Sequence, residues 1–283
     1  MQKHISAAFE YQQLTTYPEA FINMSLLPTT RSGRGKSSGS GYFEKEGRFP
    51  DYMRRLVDFR QMDFEATLDQ LQSLVSTDPK RAYISFYYRK QTKNQWARDD
   101  PAFLVVQAGL VAIGSLAYAI AFRNVNLWGY LWSIFYGLLV DWLLVGFLVA
   151  SLLSSVANRY LRQSHSHTVT QSVEWMYAFD VHANAFFASY LVTYVLQYVL
   201  LPVVLGKGVL SCILADSLYA VAAIWYSYIT YLGYTTLPFL GNTQMFLWYP
   251  SCVVLLVWTV CVVCTVCGMH VNASRIIMAF HYG

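Results

Sequence analysis

FLVVQAGLVAIGSLAYAIAF, Phe103–Phe122, runs without a charge and is almost wholly apolar. A hydrocarbon core about 30 Å thick is spanned by about 20 such residues. Only a helix or a closed barrel satisfies every backbone N–H and C=O there. Four more stretches of the same kind follow at Leu127–Ala157, Val181–Leu205, Val209–Tyr231 and Met245–Met269. The expected fold is therefore all-α, a polytopic membrane protein with five transmembrane helices.

The composition agrees: 55% of residues are hydrophobic, 17% aromatic and only 13% charged. Most of the charge precedes Pro101, so the chain divides into a polar N-terminal region and a membrane domain. A net charge of +4 suits an anionic membrane face better than a nucleic-acid surface. Residues 1–30 contain no apolar core preceded by a basic run, so no cleaved signal is expected. The positions that would mark myristoylation, prenylation or retrieval are also filled by other residues: Gln2 follows Met1, and the chain ends Phe280-His281-Tyr282-Gly283.

Arg89, Lys90, Lys93 and Arg98 lie before the first span, and Arg159 and Arg162 after the second. The other side carries Arg123, Lys207 and Arg275. Positively charged flanks favour the cytosol, which predicts a cytosolic N-terminus and, with five spans, a lumenal C-terminus. The boundaries read from the sequence are a basic Gly/Ser-containing tail at 1–45, cytosolic amphipathic or interfacial helices at 46–102, the five-helix membrane domain at 103–271, and a short lumenal end at 272–283. Asn272-Ala273-Ser274 is a glycosylation sequon on that lumenal side, too close to the membrane to carry the topology.

Arg31–Gly41 is rich in Gly and Ser and offers little apolar surface to bury. Beyond it, Met53, Val57, Phe64, Leu68, Leu71 and Val75 recur at helical spacing and predict one apolar stripe. Asp78-Pro79 predicts the start of a second helix bearing Tyr83, Phe86 and Tyr87 among Lys80, Arg81, Arg89 and Lys90. Aromatic and basic residues together suit a membrane interface or a docking surface.

Two polar passages are denser than connections require. In Tyr87–Pro101, Trp96 and Arg98 suit the headgroup layer, and Asp99 or Asp100 suits the cap of the first span. In Val173–Asn184, Asp180 is placed to cap the third span, with His182 and Asn184 in its first turn. Glu174, Asp180 and His182, with His165 or His167, hold the donor types of a metal or acid–base site but lack the spacing of a known one. No catalytic, metal or cofactor residue is assigned. Cys261, Cys264 and Cys267 fall along one helix stripe without a second ligand pair, and are expected to be packing residues. Asp141 and Asp216 lie within spans, where a carboxylate must face the bundle interior and is a functional candidate by default.

Four separated motifs then stand out. They are Leu56-Val57-Asp58-Phe59-Arg60-Gln61-Met62-Asp63-Phe64-Glu65; Tyr88–Lys93 with Gln95–Phe103; Val173-Glu174-Trp175 with Tyr177–His182; and Gly233-Tyr234 with Leu237-Pro238-Phe239-Leu240. In this order, from Tyr52 to the end of the fifth span, the chain resembles the uncoordinated-50 family of Golgi membrane proteins. Residues 1–45 show no such match. The resemblance implies a five-span protein of the Golgi and early secretory pathway, with the endoplasmic reticulum and inner nuclear membrane as further locations. It implies a non-enzymatic role in vesicle transport and the sorting of membrane cargo such as receptor subunits, and a link to large Arf guanine-nucleotide exchange factors. The basic tail matches no RNA-binding module, so nucleic acid is not an expected partner.

The candidate partner-binding or functional cluster is Asp63, Arg89, Lys90, Trp96, Arg98, Asp99, Asp100, Asp141, Glu174, Asp180 and His182. The competing expectation is an intramembrane transporter or enzyme using Asp141 with Glu174, Asp180 and His182.

Overall fold

A computed structural model describes residues 62–122, 126–163 and 171–282. The tail at 1–45, the stripe positions Met53 and Val57, Arg123, His165 and His167 lie outside these residues. Every regular element among the described residues is a helix. Two short helices come first, α1 (Phe64–Val75) and α2 (Arg81–Lys93), then α3 (Ala102–Ala121) and the long α4 (Leu127–Leu161). They are followed by α5 (Trp175–Tyr190, continued by the π-helical Leu191–Leu196), α6 (Val209–Thr235), α7 (Met245–Met269) and α8 (Ala273–Tyr282).

Four of these, α3, α4, α6 and α7, are long and apolar enough to cross a membrane. The helix α5 is not among the four, because Asp180, His182 and Asn184 dilute its apolar character. It is nevertheless the centre of the bundle: every residue from Tyr177 to Ala185 is buried. By contrast, α7 buries only Phe246, Ser251 and Thr265 and leaves most of its apolar side chains outward, as a helix facing lipid does. Cys261 and Cys264 are half-buried, Cys252 and Cys267 are exposed, and Cys212 of α6 is buried.

Close approach of α5 to its neighbours depends on two glycines. A Cβ on Gly146 of α4 would sit 2.7 Å from the His182 ring, and one on Gly233 of α6 would sit 2.7 Å from Val181. Any side chain at either position would push the helices apart.

Three sequence expectations shift. The helix α5 begins at Trp175 rather than Val181, with Glu174 at its N-cap, so Asp180 lies in its second turn and is not a cap. Nor do His182 and Asn184 lie in the first turn. The apolar face of α1 is rotated: Asp63 caps it, Thr67, Leu71 and Leu74 are buried, and Phe64, Leu68 and Val75 point outward. The Asp63 amide donates to Asp100 Oδ2 at 2.8 Å, which ties the start of this helix to the start of α3 and fixes its rotation. Finally, α2 begins at Arg81, after a turn in which the carbonyls of Asp78 and Pro79 accept the amides of Arg81 and Ala82.

One end of the bundle gathers the start of α3, the end of α4, the start of α5, the end of α6 and the start of α7. There the Gly241 amide donates to Leu161 O at 2.8 Å and the Gln163 amide to Phe239 O at 3.0 Å. Asn158 clasps the backbone of Val173, accepting from its amide at 2.7 Å and donating to its carbonyl at 3.1 Å. At the other end α8 folds back onto the spans. Its Tyr282 stacks on Phe122 with ring centroids 5.4 Å apart, and Arg275 donates to Leu205 O at 2.8 and 3.1 Å. Asn272 is buried and donates to Val204 O at 2.8 Å, so its amide is not presented for glycosylation.

Candidate functional site

The segment between α2 and α3 is pinned to α5 by three acidic or amide side chains, one at its N-cap and two in its second and third turns. Glu174 receives the amides of Trp96 and Ala97, each at 3.4 Å. Asp180 receives the Arg98 amide at 2.7 Å and faces its guanidinium at 3.8 Å. Asn184 Oδ1 accepts directly from the same guanidinium and from Gln70 at 3.5 Å. Asp180 and Asn184 are one turn apart and share a face of α5. His182, two residues from Asp180, falls on the opposite side, where its Nδ1 meets the Tyr226 hydroxyl at 2.7 Å.

Arg98 is 4% exposed and Asp180 2%. Burying two charges is tolerable only if they are paired and surrounded by further partners. The guanidinium obtains these from Asn184 and from two aromatic faces, Phe103 at 3.9 Å and Phe86 at 5.1 Å. Trp96, also buried, lies against Tyr177 and Phe239 with centroids 6.2 and 6.3 Å away. Tyr177 donates to Gly233 O at 2.6 Å, and Tyr83 to Ile229 O at 2.9 Å. Burial pushes the Tyr83 phenol well above its usual value, so it stays a donor.

The remaining candidates lie around this core. Asp100 caps α3 by accepting the Ala102 amide at 3.0 Å while it receives Asp63. Asp99 pairs with Lys93 and accepts from Gln95 at 2.9 Å. Lys90 donates to Asn94 O at 3.2 Å and lies 5.6 Å above the Trp96 ring. Arg89 stacks on Phe86 at 4.4 Å. Burial, and then the neighbouring charge of Arg98, lower its guanidinium from the usual value, though arginine remains charged at neutral pH.

The structure therefore brings together Asp63, Arg89, Lys90, Trp96, Arg98, Asp99, Asp100, Glu174 and Asp180, but as a lock. Trp96, Arg98 and Asp180 are too buried to touch a partner. His182 packs apart from them. Asp141 is separate as well, and pairs with Tyr194 and His281. Among the described residues no group of three or more His, Cys, Asp or Glu side chains is placed to hold a metal ion. Sequence reading missed Phe86 as a wall of the Arg98 site, and Tyr194 and His281 as partners of Asp141. The aromatic spacing in α2 hinted at the first; nothing local marked the others.

The described residues of these four motifs, those from Met62 onward in the first, converge on one end of the bundle, and the comparisons with known proteins cover the motifs. The UNC-50 family model matches residues 52–281. The chain belongs to the UNC-50 family. It is 39% identical to the protein unc-50 homolog of Dictyostelium discoideum, over 94% of this chain and 98% of the relative. It is 41% identical to the protein unc-50 of Caenorhabditis elegans, over 83% and 75% of the two chains. With the human protein unc-50 homolog the identity is 40%, over 73% and 78%. No solved structure matches.

Proposed function

We propose that this chain is a five-span Golgi and early-secretory membrane protein that acts without catalysis, as an adaptor. Its cytosolic face engages a large Arf guanine-nucleotide exchange factor, and its bundle accompanies membrane cargo such as receptor subunits. The fifth crossing in this reading is α5, whose Asp180, His182 and Asn184 are turned inward to partners. The N-terminal helices lie on the cytosolic side by the distribution of Lys and Arg.

The observation that carries the reading is the division of labour in α1. The helix has already used one face, Thr67, Leu71 and Leu74, to dock on the bundle, yet Phe64, Leu68 and Val75 remain 40%, 60% and 46% exposed. Such apolar side chains on a rigidly held helix suit a partner surface, and the Arg98–Asp180 lock supplies the rigidity. The family names carry no enzymatic designation, which agrees with an adaptor.

The test is recovery of partners from gently solubilised Golgi membranes by the tagged full-length chain and by a Phe64→Ser/Leu68→Ser/Val75→Ser variant. The variant is expected to reach the Golgi in normal amount and lose the exchange factor. Unchanged recovery of that factor and of cargo overturns the proposal.

A further inference from the structure

In the half of the bundle away from the Arg98 lock, a cavity of about 220 Å³ opens between α3, α4, α5, α6 and α8. Its walls include Tyr118, Asp141, Tyr194, Tyr219, His281 and Tyr282. The rings of Tyr118 and Tyr194 meet at 89° with centroids 5.9 Å apart, and Tyr282 lies nearly parallel to Tyr118 at 6.0 Å. Two ring planes thus form a corner, and the Asp141 carboxylate lies beside it. That carboxylate is held loosely, with the Tyr194 hydroxyl at 3.4 Å and His281 Nδ1 at 3.5 Å, and it keeps 23% exposure. Neither Lys nor Arg lines the cavity among the described residues.

Both walls that carry the polar groups depart from regular helix. Asp141 lies within a π-helical stretch of α4, Gly137–Leu144, and Tyr194 within another that continues α5, Leu191–Leu196. Wide turns of this kind re-aim side chains and occur frequently at functional sites. Here they place a carboxylate and a phenol at the same space.

Aromatic faces joined to a carboxylate recognise alkylammonium ions, since ring quadrupoles attract a diffuse cation that makes no strong hydrogen bonds. The volume is below the roughly 300–1,000 Å³ of drug-sized pockets, which fits a headgroup rather than a larger molecule. We propose that this cavity binds a trimethylammonium group, either of a choline phospholipid headgroup or of a small free quaternary ammonium ion.

The experiment uses the purified full-length chain in a maltoside detergent, titrated with choline chloride and with 3,3-dimethyl-1-butanol, its uncharged carbon isostere. Choline is expected to raise the thermal midpoint and the isostere to leave it unchanged. Asp141→Asn, which keeps the shape, should weaken choline binding about tenfold, and Tyr282→Leu about fivefold. Phosphatidylcholine and phosphatidylglycerol nanodiscs separate the sources. Stabilisation by phosphatidylcholine discs with retained lipid assigns the headgroup; stabilisation by choline added to phosphatidylglycerol discs assigns the free quaternary ammonium ion. If the isostere acts as choline does, or Asp141→Asn binds choline undiminished, the proposal fails. It also fails if neither choline nor phosphatidylcholine acts on the chain, as when His281 is itself the cation that Asp141 holds.

Discussion

The two ends of this bundle each contain a carboxylate in an apolar setting, and they use it in opposite ways. Asp180 is 2% exposed, receives a backbone amide at 2.7 Å and faces a guanidinium that is itself enclosed by Phe86 and Phe103. Asp141 keeps 23% exposure, is touched at 3.4 and 3.5 Å, and borders empty space. A carboxylate whose surroundings are filled and paired holds segments together. One left beside a cavity with loose partners can still receive something.

The strongest way to break this comparison is to remove a charge from each end. Arg98→Leu leaves Asp180 buried without its cation and is expected to cost about 3–5 kcal/mol, read as a large fall in thermal midpoint or as failure to accumulate in membranes. Asp141→Asn, at the loose end, is expected to cost less than about 1 kcal/mol. Equal losses would show that Asp141 too is structural. A smaller effect tests how tightly the lock is packed. Gly233→Ala would drive a methyl to within 2.7 Å of Val181 and 3.1 Å of Tyr83, with an expected loss of about 1–3 kcal/mol; an unchanged midpoint would mean that α5 and α6 can separate freely. The smallest effect sharpens the picture further. Tyr177→Phe removes the donor to Gly233 O and should cost about 1 kcal/mol, measured by chemical unfolding in detergent, because the carbonyl is left buried.

Much of the architecture was legible in the chain. The positions of α3, α4, α6 and α7 follow from apolar length alone, and the capping of α3 by Asp100 follows from its place before Pro101. The site was legible only as a set of residues. Glu174, Asp180 and Asn184 were recognisable as a dense polar passage, yet the start of α5 was misplaced by six residues because hydropathy begins at Val181 whereas hydrogen bonding begins at Trp175. The same error made Asp180 look like a cap. For α1 the periodicity was right and the rotation wrong, since the contact between Asp63 and Asp100 lies 37 residues away in sequence.

By itself, then, the sequence determined the solvent of each segment: which stretches belong in hydrocarbon, which carboxylates would have to be sheltered, and which side of the membrane the basic flanks favour. Those properties add up residue by residue along a helix. Only the tertiary structure decided that Asp180 meets Arg98, that Asp141 meets a tyrosine corner closed by the C-terminal helix, and that Phe64 and Leu68 face outward. Such pairings depend on helix rotation, on glycine contacts and on the extra residue of a π-helical turn. A local pattern does not encode them, because each is set by a surface contributed from elsewhere in the chain.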